Sequence, residues 1–451
     1  MSDTTPETIL DADLLIIGGG MAGLSAGARA AEAGKRVIVV EKSGDIGGNA
    51  MMAGGYVWTV PTARHLRGCD DGDPALGAIV IDGYADAIAW LKQRGVVISK
   101  MIPVLHGRGY QIDIIGHIRA CALTIEQMGG HVVRGTSVKR LIRDESGRIT
   151  GAVTTHPDGD MTVRAPWTLM ATGGWQASPE LRARFIHPDD RMILRAGTSS
   201  VGDGLRLVEA VGGAHAGPNP GFYGHLIADG VTLDTPAKYR TLAFYFSEHA
   251  LLLNKDGNRF CDETRGDHVN TNEVVYQRDS RALLFWDQSL QERHAARPHV
   301  EGGPLLDRLD YATSLGAQGA ICPTLDDLAA KATAFGFDGD ACVRSIRTFN
   351  ETAATAPEAL SPPRGGETLP MGEAPFRIIV VQPGITFTNG GLAIDPDTRA
   401  LDVLGRPIPG LLVIGADAGN IYRRGYAGGL ALALTTGFRA LRTAGVGTNQ
   451  T

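Results

Sequence analysis

An unbroken apolar run follows Asp13, Leu14-Leu-Ile-Ile, and a second, Val37-Ile-Val-Val, ends at Glu41. Runs this short and apolar predict strands buried on both faces, as in a parallel sheet. The glycine- and alanine-rich stretch between them predicts a helix, and the three pieces form a βαβ unit. Ile79, Tyr84, Ile88 and Leu91 recur at helical spacing, which predicts a helix from Pro74 to Gly95; a second is expected from Ile114 to Gly129. Strand patterning returns at 131–134, 137–142 and 149–155, with a turn at 144–147. Trp167-Thr-Leu-Met runs into Ala171-Thr-Gly-Gly, and Val201-Gly-Asp-Gly opens a helix. From about 215 the texture changes, with Phe222, Tyr223, His225, Tyr239, Phe244, Tyr245, Phe246 and His249 close together, then helices at 324–335 and 340–353. A Pro/Gly-rich linker is expected at 357–375. The first texture then resumes in the strand Gly410-Leu-Leu-Val-Ile-Gly-Ala-Asp417 and a last helix, 430–444. The expectation is an α/β fold with a discontinuous domain, 1–214 and 357–451, interrupted by an α+β insertion at 215–356.

A chain of 451 residues exceeds one ordinary core, which supports this division. A net charge of −6 gives no electrostatic case for nucleic acid. Five cysteines, Cys69, Cys121, Cys261, Cys322 and Cys342, are scattered without a C-x-x-C pair. That fits reduced thiols in a cytoplasmic protein and offers no metal site. The opening Met1-Ser-Asp-Thr-Thr-Pro-Glu-Thr has no basic or apolar signal region, and no apolar run reaches about 18 residues. Neither an export signal nor a membrane span is expected.

The βαβ unit carries specific chemistry. Gly18, Gly20 and Gly23 stand in the G-x-G-x-x-G pattern, opening a helix that begins with Met21 and Ala22. The first glycine allows the tight turn, the second a close pyrophosphate, the third close helix–strand packing. Free N–H groups at the helix start favour phosphate, and Glu41 stands where a ribose hydroxyl would sit.

Together with Gly47-Gly-Asn49, Ala171-Thr-Gly-Gly174 and Leu411-Leu-Val-Ile-Gly-Ala-Asp417, this chain resembles the FAD-containing fumarate reductase/succinate dehydrogenase flavoprotein family. That family includes 3-ketosteroid dehydrogenases and tricarballylate dehydrogenase. The resemblance implies a Rossmann-like FAD-binding domain at 1–214 and 357–451 split by a capping domain at 215–356. It also implies that Glu41 binds the adenosine ribose, that Lys42 contacts the cofactor, and that Val138 meets adenine through its backbone. Ala171, Thr172 and Gly173 would line the same end, with Asp203 nearby. Asp417 stands where the family has a glutamate at the ribityl chain. The loop Gly47, Gly48, Asn49, Met52, Ala53, Gly54, Gly55 would follow the pyrophosphate and isoalloxazine, with Gly428, Gly429, Leu430 and Leu432 beyond. Covalently flavinylated members carry a histidine in that loop; here there is none, so FAD is expected to be non-covalent.

The resemblance also implies hydride and proton transfer across a carbon–carbon bond beside a carbonyl. The chain departs from true fumarate reductases at the cationic positions: Phe387 replaces a histidine, Tyr426 an arginine, and Ala243 and Phe246 the proton relay. Thr388, Asn389 and Gly429 are expected at the substrate. Tyr426 matches the tyrosine with which ketosteroid dehydrogenases polarise a ketone, although tricarballylate dehydrogenase has one too. His225 and Arg265 lie near substrate-binding and proton-donating positions, and Tyr223 or Tyr245 could take the second proton. Arg265 could equally be an ion-pair partner of Glu263 or Asp267.

The expected activity is a flavin-dependent CH–CH dehydrogenase or ene reductase acting on a cyclic or hydrophobic ketone. A carboxylic acid substrate such as tricarballylate or fumarate, and a non-catalytic redox sensor, are the alternatives. An external electron carrier is required: a quinone, a carrier flavoprotein or a dye.

Overall fold

The computed structural model describes residues 8–62, 65–66, 72–157, 159–189, 191–217, 220–298 and 305–447. Cys69 and the opening seven residues, on which two of the expectations rest, lie outside them. The other four cysteines are buried and free.

The chain forms two compact units. The first comprises 1–186, 196–222 and 387–451. Its centre is a six-stranded sheet in the order Arg399–Leu401, Pro407–Val413, Thr168–Met170, Leu14–Ile17, Val37–Val40, His131–Val133. All pairings are parallel except that of the edge strand Arg399–Leu401. The three innermost strands are wholly buried, which is why their sequences do not alternate. Helix Met21–Glu32 packs against Ile114–Gln127 and Gly429–Thr443. A Cβ on Gly27 would stand 2.8 Å from Ile125 Cδ1, so glycine sets that approach. Two smaller sheets complete the unit, one built on Ser137–Arg143, Ile149–His156 and Gly159–Arg164, the other on Tyr56–Thr59, Gly107–Gln111 and Ile102–Val104.

Helix Pro74–Gln93 is long and apolar enough to cross a membrane, by length and composition alone. It packs on Gly429–Thr443, with Trp90 edge-on to Phe438 at 5.1 Å and Asp86 paired to Arg29 and Arg442 at 2.9 Å.

The second unit comprises 187–195 and 223–386. Its organiser is the strand Phe376–Thr388, which pairs with Ile193–Leu194, Ala282–Trp286, Gly319–Cys322 and Phe222–Ala228. These pairings move the boundaries from those expected. The insertion takes in 187–195 and runs to Thr386, because the segment read as resumed nucleotide domain is the middle of the inserted sheet. The expected linker is also no mere tether. Arg364 is buried and, with Arg259, pairs to buried Glu263 at 3.4 and 2.6 Å.

Candidate functional site

In the first unit, the glycine turn performs as its spacing predicts. Gly18 has φ +114°, and a Cβ there would overlap the Ala171 carbonyl; a Cβ on Gly23 would overlap the Gly18 carbonyl. Gly20 differs: a Cβ on it would meet nothing nearer than Gly47 O at 3.9 Å, so that face is open to a ligand. Gly20 caps helix Met21–Glu32 without a side-chain hydrogen bond, and no acid sits in its first turn. Glu41 accepts from Gly19 N at 2.7 Å and Ser43 N at 2.8 Å, which fixes its carboxylate beside the turn. Gly47 donates its N–H to Gly19 O at 2.7 Å and, at φ +104°, leads the short 3-10 helix Gly48–Met52. Asn49 accepts from Gly197 N at 2.8 Å, and Met52 lies at the same glycine. The Gly54 carbonyl accepts from Gln111, and Gly55 is pressed on Ile112. Ala53 is exposed, and Val138 lies in a strand paired to Thr154.

Three expected ligands have protein partners. Lys42 pairs with Asp203 at 2.5 Å. Asp417 is buried and accepts from Thr172 N, from Thr172 Oγ1 at 2.9 Å and from Gly174 N at 3.0 Å. Burial nevertheless raises its pKa. Asp417, expected at the ribityl chain, thus staples the 171–174 turn to the 415–417 turn. Thr172 Oγ1 also accepts from Gly204 N at 3.0 Å.

Beside that staple lies a set of unsatisfied polar atoms. Thr388 Oγ1, Asn389 Oδ1 and both amide atoms of Gln176 are buried without a hydrogen-bond partner. Thr388 Oγ1 and Gln176 Oε1 both border Gly174, 2.7 and 3.1 Å from where its Cβ would stand. Buried polar groups are rarely left unpaired, at a cost of about 1–3 kcal/mol each. Donors and acceptors clustered here, with the open face of Gly20, fit a large polar cofactor such as FAD. Gln176 gave no signal in the sequence beyond following a glycine turn.

Tyr426 is buried among Trp58, Phe387 and Tyr422, with ring centroids 5.3, 5.5 and 6.0 Å away. Its hydroxyl accepts from Gly429 N at 2.8 Å, at the start of the last helix, where Leu432 N donates to Gly428 O and Leu430 is half-buried. A phenol oxygen can accept a backbone N–H while its hydroxyl remains a donor by chemistry. Asn389 Nδ2 bonds the Arg423 carbonyl at 2.8 Å and so steadies the same loop.

The inserted unit holds a second cluster. His225 Nδ1 forms a short hydrogen bond to Asp267 Oδ2, and His225 Nε2 meets the Tyr223 hydroxyl at 2.8 Å. Asp267 also accepts from Leu226 N at 3.3 Å and Ser247 Oγ at 3.2 Å. Histidine and aspartate are buried; Tyr223 is half-buried. Burial pushes the Asp267 pKa up to about 8 and holds that of His225 well below its usual value, the latter aided by Arg195. The pair is therefore carried as one neutral unit with a proton between its members. The Tyr245 ring stands edge-on to His225 at 4.6 Å, and burial raises its pKa.

Arg265 departs from both its readings. It is exposed, while Glu263 pairs with Arg259 and Arg364, and Asp267 with His225. Ala243 and Phe246 are core residues. His249, His294 and Glu367 bring three ligand-type atoms within 4.8 Å, a grouping not foreseen.

Residues 13–430 match the family model for an FAD binding domain. The chain belongs to this family. The flavoprotein is 26% identical over 456 residues to urocanate reductase from Eggerthella lenta, spanning 91% of this chain and 70% of that one. It is 24% identical over 549 residues to 4-oxocyclohexanecarboxylate 2-dehydrogenase from Sinomonas cyclohexanicum, spanning 96% and 92%. Its fold is that of 3-ketosteroid-Δ4-(5α)-dehydrogenase from Rhodococcus jostii, with a TM-score of 0.73 over 99% of both chains at 20% identity. Like these relatives it is an FAD-dependent oxidoreductase of carbon–carbon bonds.

Proposed function

We propose that the flavoprotein interconverts a cyclic or hydrophobic ketone and its α,β-unsaturated counterpart. FAD, held without a covalent bond, supplies the hydride acceptor or donor. The observation that carries the reading is the neutral chain Asp267–His225–Tyr223, a proton path with no cation of its own. In the reductive direction Tyr223 gives its proton to the carbon opposite the one that takes hydride. His225 Nε2–H then reprotonates Tyr223, and Asp267 gives its proton to Nδ1. One proton leaves, and a carboxylate stabilised by Leu226 N and Ser247 remains. Dehydrogenation runs the same steps backwards. Tyr426 donates to the carbonyl oxygen, where negative charge develops, and its bond from Gly429 N makes it the better donor. Electrons pass to or from an external carrier: a quinone, a carrier flavoprotein or a dye.

A dehydrogenase named for a cyclic keto acid among the relatives supports a ring ketone. The test is anaerobic mixing of the oxidised holoprotein with saturated cyclic ketones, steroid ketones, succinate and tricarballylate, following loss of flavin absorbance. Bleaching by ketones is the expected result. Bleaching by succinate or tricarballylate alone would overturn the proposal.

A further inference from the structure

Two buried arginines in the inserted unit have no salt-bridge partner among the described residues. Arg195 is only 8% exposed. Its Nε donates to the Tyr239 carbonyl at 2.9 Å, Nη1 to Thr386 Oγ1 at 2.8 Å and Nη2 to the Tyr245 hydroxyl at 3.3 Å. All three acceptors are neutral. Arg308, 9% exposed, lies over the Tyr245 ring at 5.9 Å; its Nη1 reaches the Ala295 carbonyl at 3.4 Å, and its Nε has no partner. Among the described residues no carboxylate pairs with either guanidinium. The same unit shows the usual solution elsewhere, where Arg259 and Arg364 share Glu263. Asp267, the acid that senses both arginines, is committed to His225, Leu226 N and Ser247. Asp307, which also senses Arg308, accepts from Leu309 N, Asp310 N and Gln291 Nε2.

A buried charge without a partner costs several kcal/mol, and proteins seldom keep one without a use. Guanidinium has five N–H donors in a planar fork; three of Arg195's are used, leaving two for a planar acceptor. A carboxylate has that shape and sign. The position is also informative, since Tyr245, which accepts from Arg195, touches the His225 ring of the proton relay.

We infer that the substrate carries a carboxylate besides its ketone, and that Arg195 seats it with Arg308, which lies over the Tyr245 ring, adding charge. The substrate class is thus a keto acid. The inference rests on the proposed function for the reacting end of the molecule and on Arg195 for the other end.

The test separates the two. Cyclohexanecarboxylate has no ketone to react, so calorimetric titration of the holoprotein with this acid and with its methyl ester reads the seat alone. The acid should bind about 10- to 100-fold tighter than the ester. Arg195→Gln should remove that preference, and Arg195→Lys should keep part of it. Equal binding of acid and ester, no binding of the acid, or an unchanged preference in Arg195→Gln would overturn the seat. If Arg195→Gln fails to fold, the acid–ester comparison on the unaltered protein still decides. Bleaching by neutral ketones without acid binding would sink the seat and keep the reaction. Acid binding without bleaching by any ketone would do the reverse.

Discussion

Replacing Asp267 with asparagine should stop proton delivery while leaving the fold in place. In Asp267→Asn the amide oxygen keeps the acceptor that Leu226 N and Ser247 Oγ use at 3.3 and 3.2 Å, and the amide nitrogen can still donate to His225 Nδ1. The histidine keeps its tautomer, and Tyr223 keeps its 2.8 Å contact. What the amide lacks is a transferable proton. At pH 7 the aspartate, with a pKa of about 8, holds one. General acid–base catalysis is worth about 10²–10⁴-fold in rate, so flavin reoxidation by an enone should slow within that range. Stability should change by about 1 kcal/mol or less, since each retained or exchanged hydrogen bond is worth about that much. Stopped-flow reoxidation of the reduced holoprotein by 2-cyclohexenone measures the first, and urea unfolding the second. A variant that reoxidises within about threefold of the parent, well short of the general acid–base range, would refute the relay. A variant that is slow but also several kcal/mol less stable would show only that Asp267 braces the unit. Asp267→Ala, which forfeits all three interactions, is the control expected to lose both rate and stability.

The pH dependence should separate the two directions. Reduction needs the proton on Asp267, so its rate should hold below about pH 8 and fall above it, while dehydrogenation should rise through the same range; a shared, flat profile would count against the assignment. Tyr426→Phe should lower the flavin reduction rate by a ketone about 10²–10³-fold with FAD still bound, as the deletion of one donor to a developing oxyanion does elsewhere. Gly23→Ala puts a methyl group into the Gly18 carbonyl, and the purified protein should come without the visible flavin absorbance band, a loss that FAD added in excess does not restore. Glu263→Ala leaves Arg259 and Arg364 buried and unpaired, and should cost about 3–5 kcal/mol in denaturant unfolding.

How much of this was legible in the chain depended on the range of the interaction. The βαβ unit was readable because its information is local: apolar runs mark buried strands, and three glycines at fixed spacing leave one sensible turn. Helix ends were readable to a residue or two for the same reason, as at Thr324, whose side chain caps Leu325–Ala334 through a reciprocal bond with Asp327. The insertion boundaries were not. Ile193–Leu194 is two residues long and becomes a strand only because Gly384 and Ile385 lie beside it. Phe376–Thr388 is apolar in either unit, and only its partners decide which one owns it.

Site chemistry divides along the same line. His225 drew notice because the resemblance puts a substrate-binding histidine near its place, and Tyr223 as one candidate for a second tyrosine, yet a histidine's role is set by what holds its other nitrogen. That group, Asp267, lies forty-two positions away on the first turn of the helix Asp267–Val275. In sequence it looked like a salt-bridge partner for nearby Arg265. Burial decides the matter: an exposed arginine two residues off has water for company, whereas a carboxyl group sealed from water keeps its proton and shares it with the nearest strong acceptor, His225 Nδ1. Arg195 was passed over for the converse reason. Nothing in Ile193-Leu-Arg-Ala196 sets its arginine apart from the others in the chain, and its significance appears only when every hydrogen-bond acceptor of a buried guanidinium proves to be neutral. A charge that the fold itself leaves unanswered is information about what the fold was built to hold, and no reading of spacing along the chain can supply it.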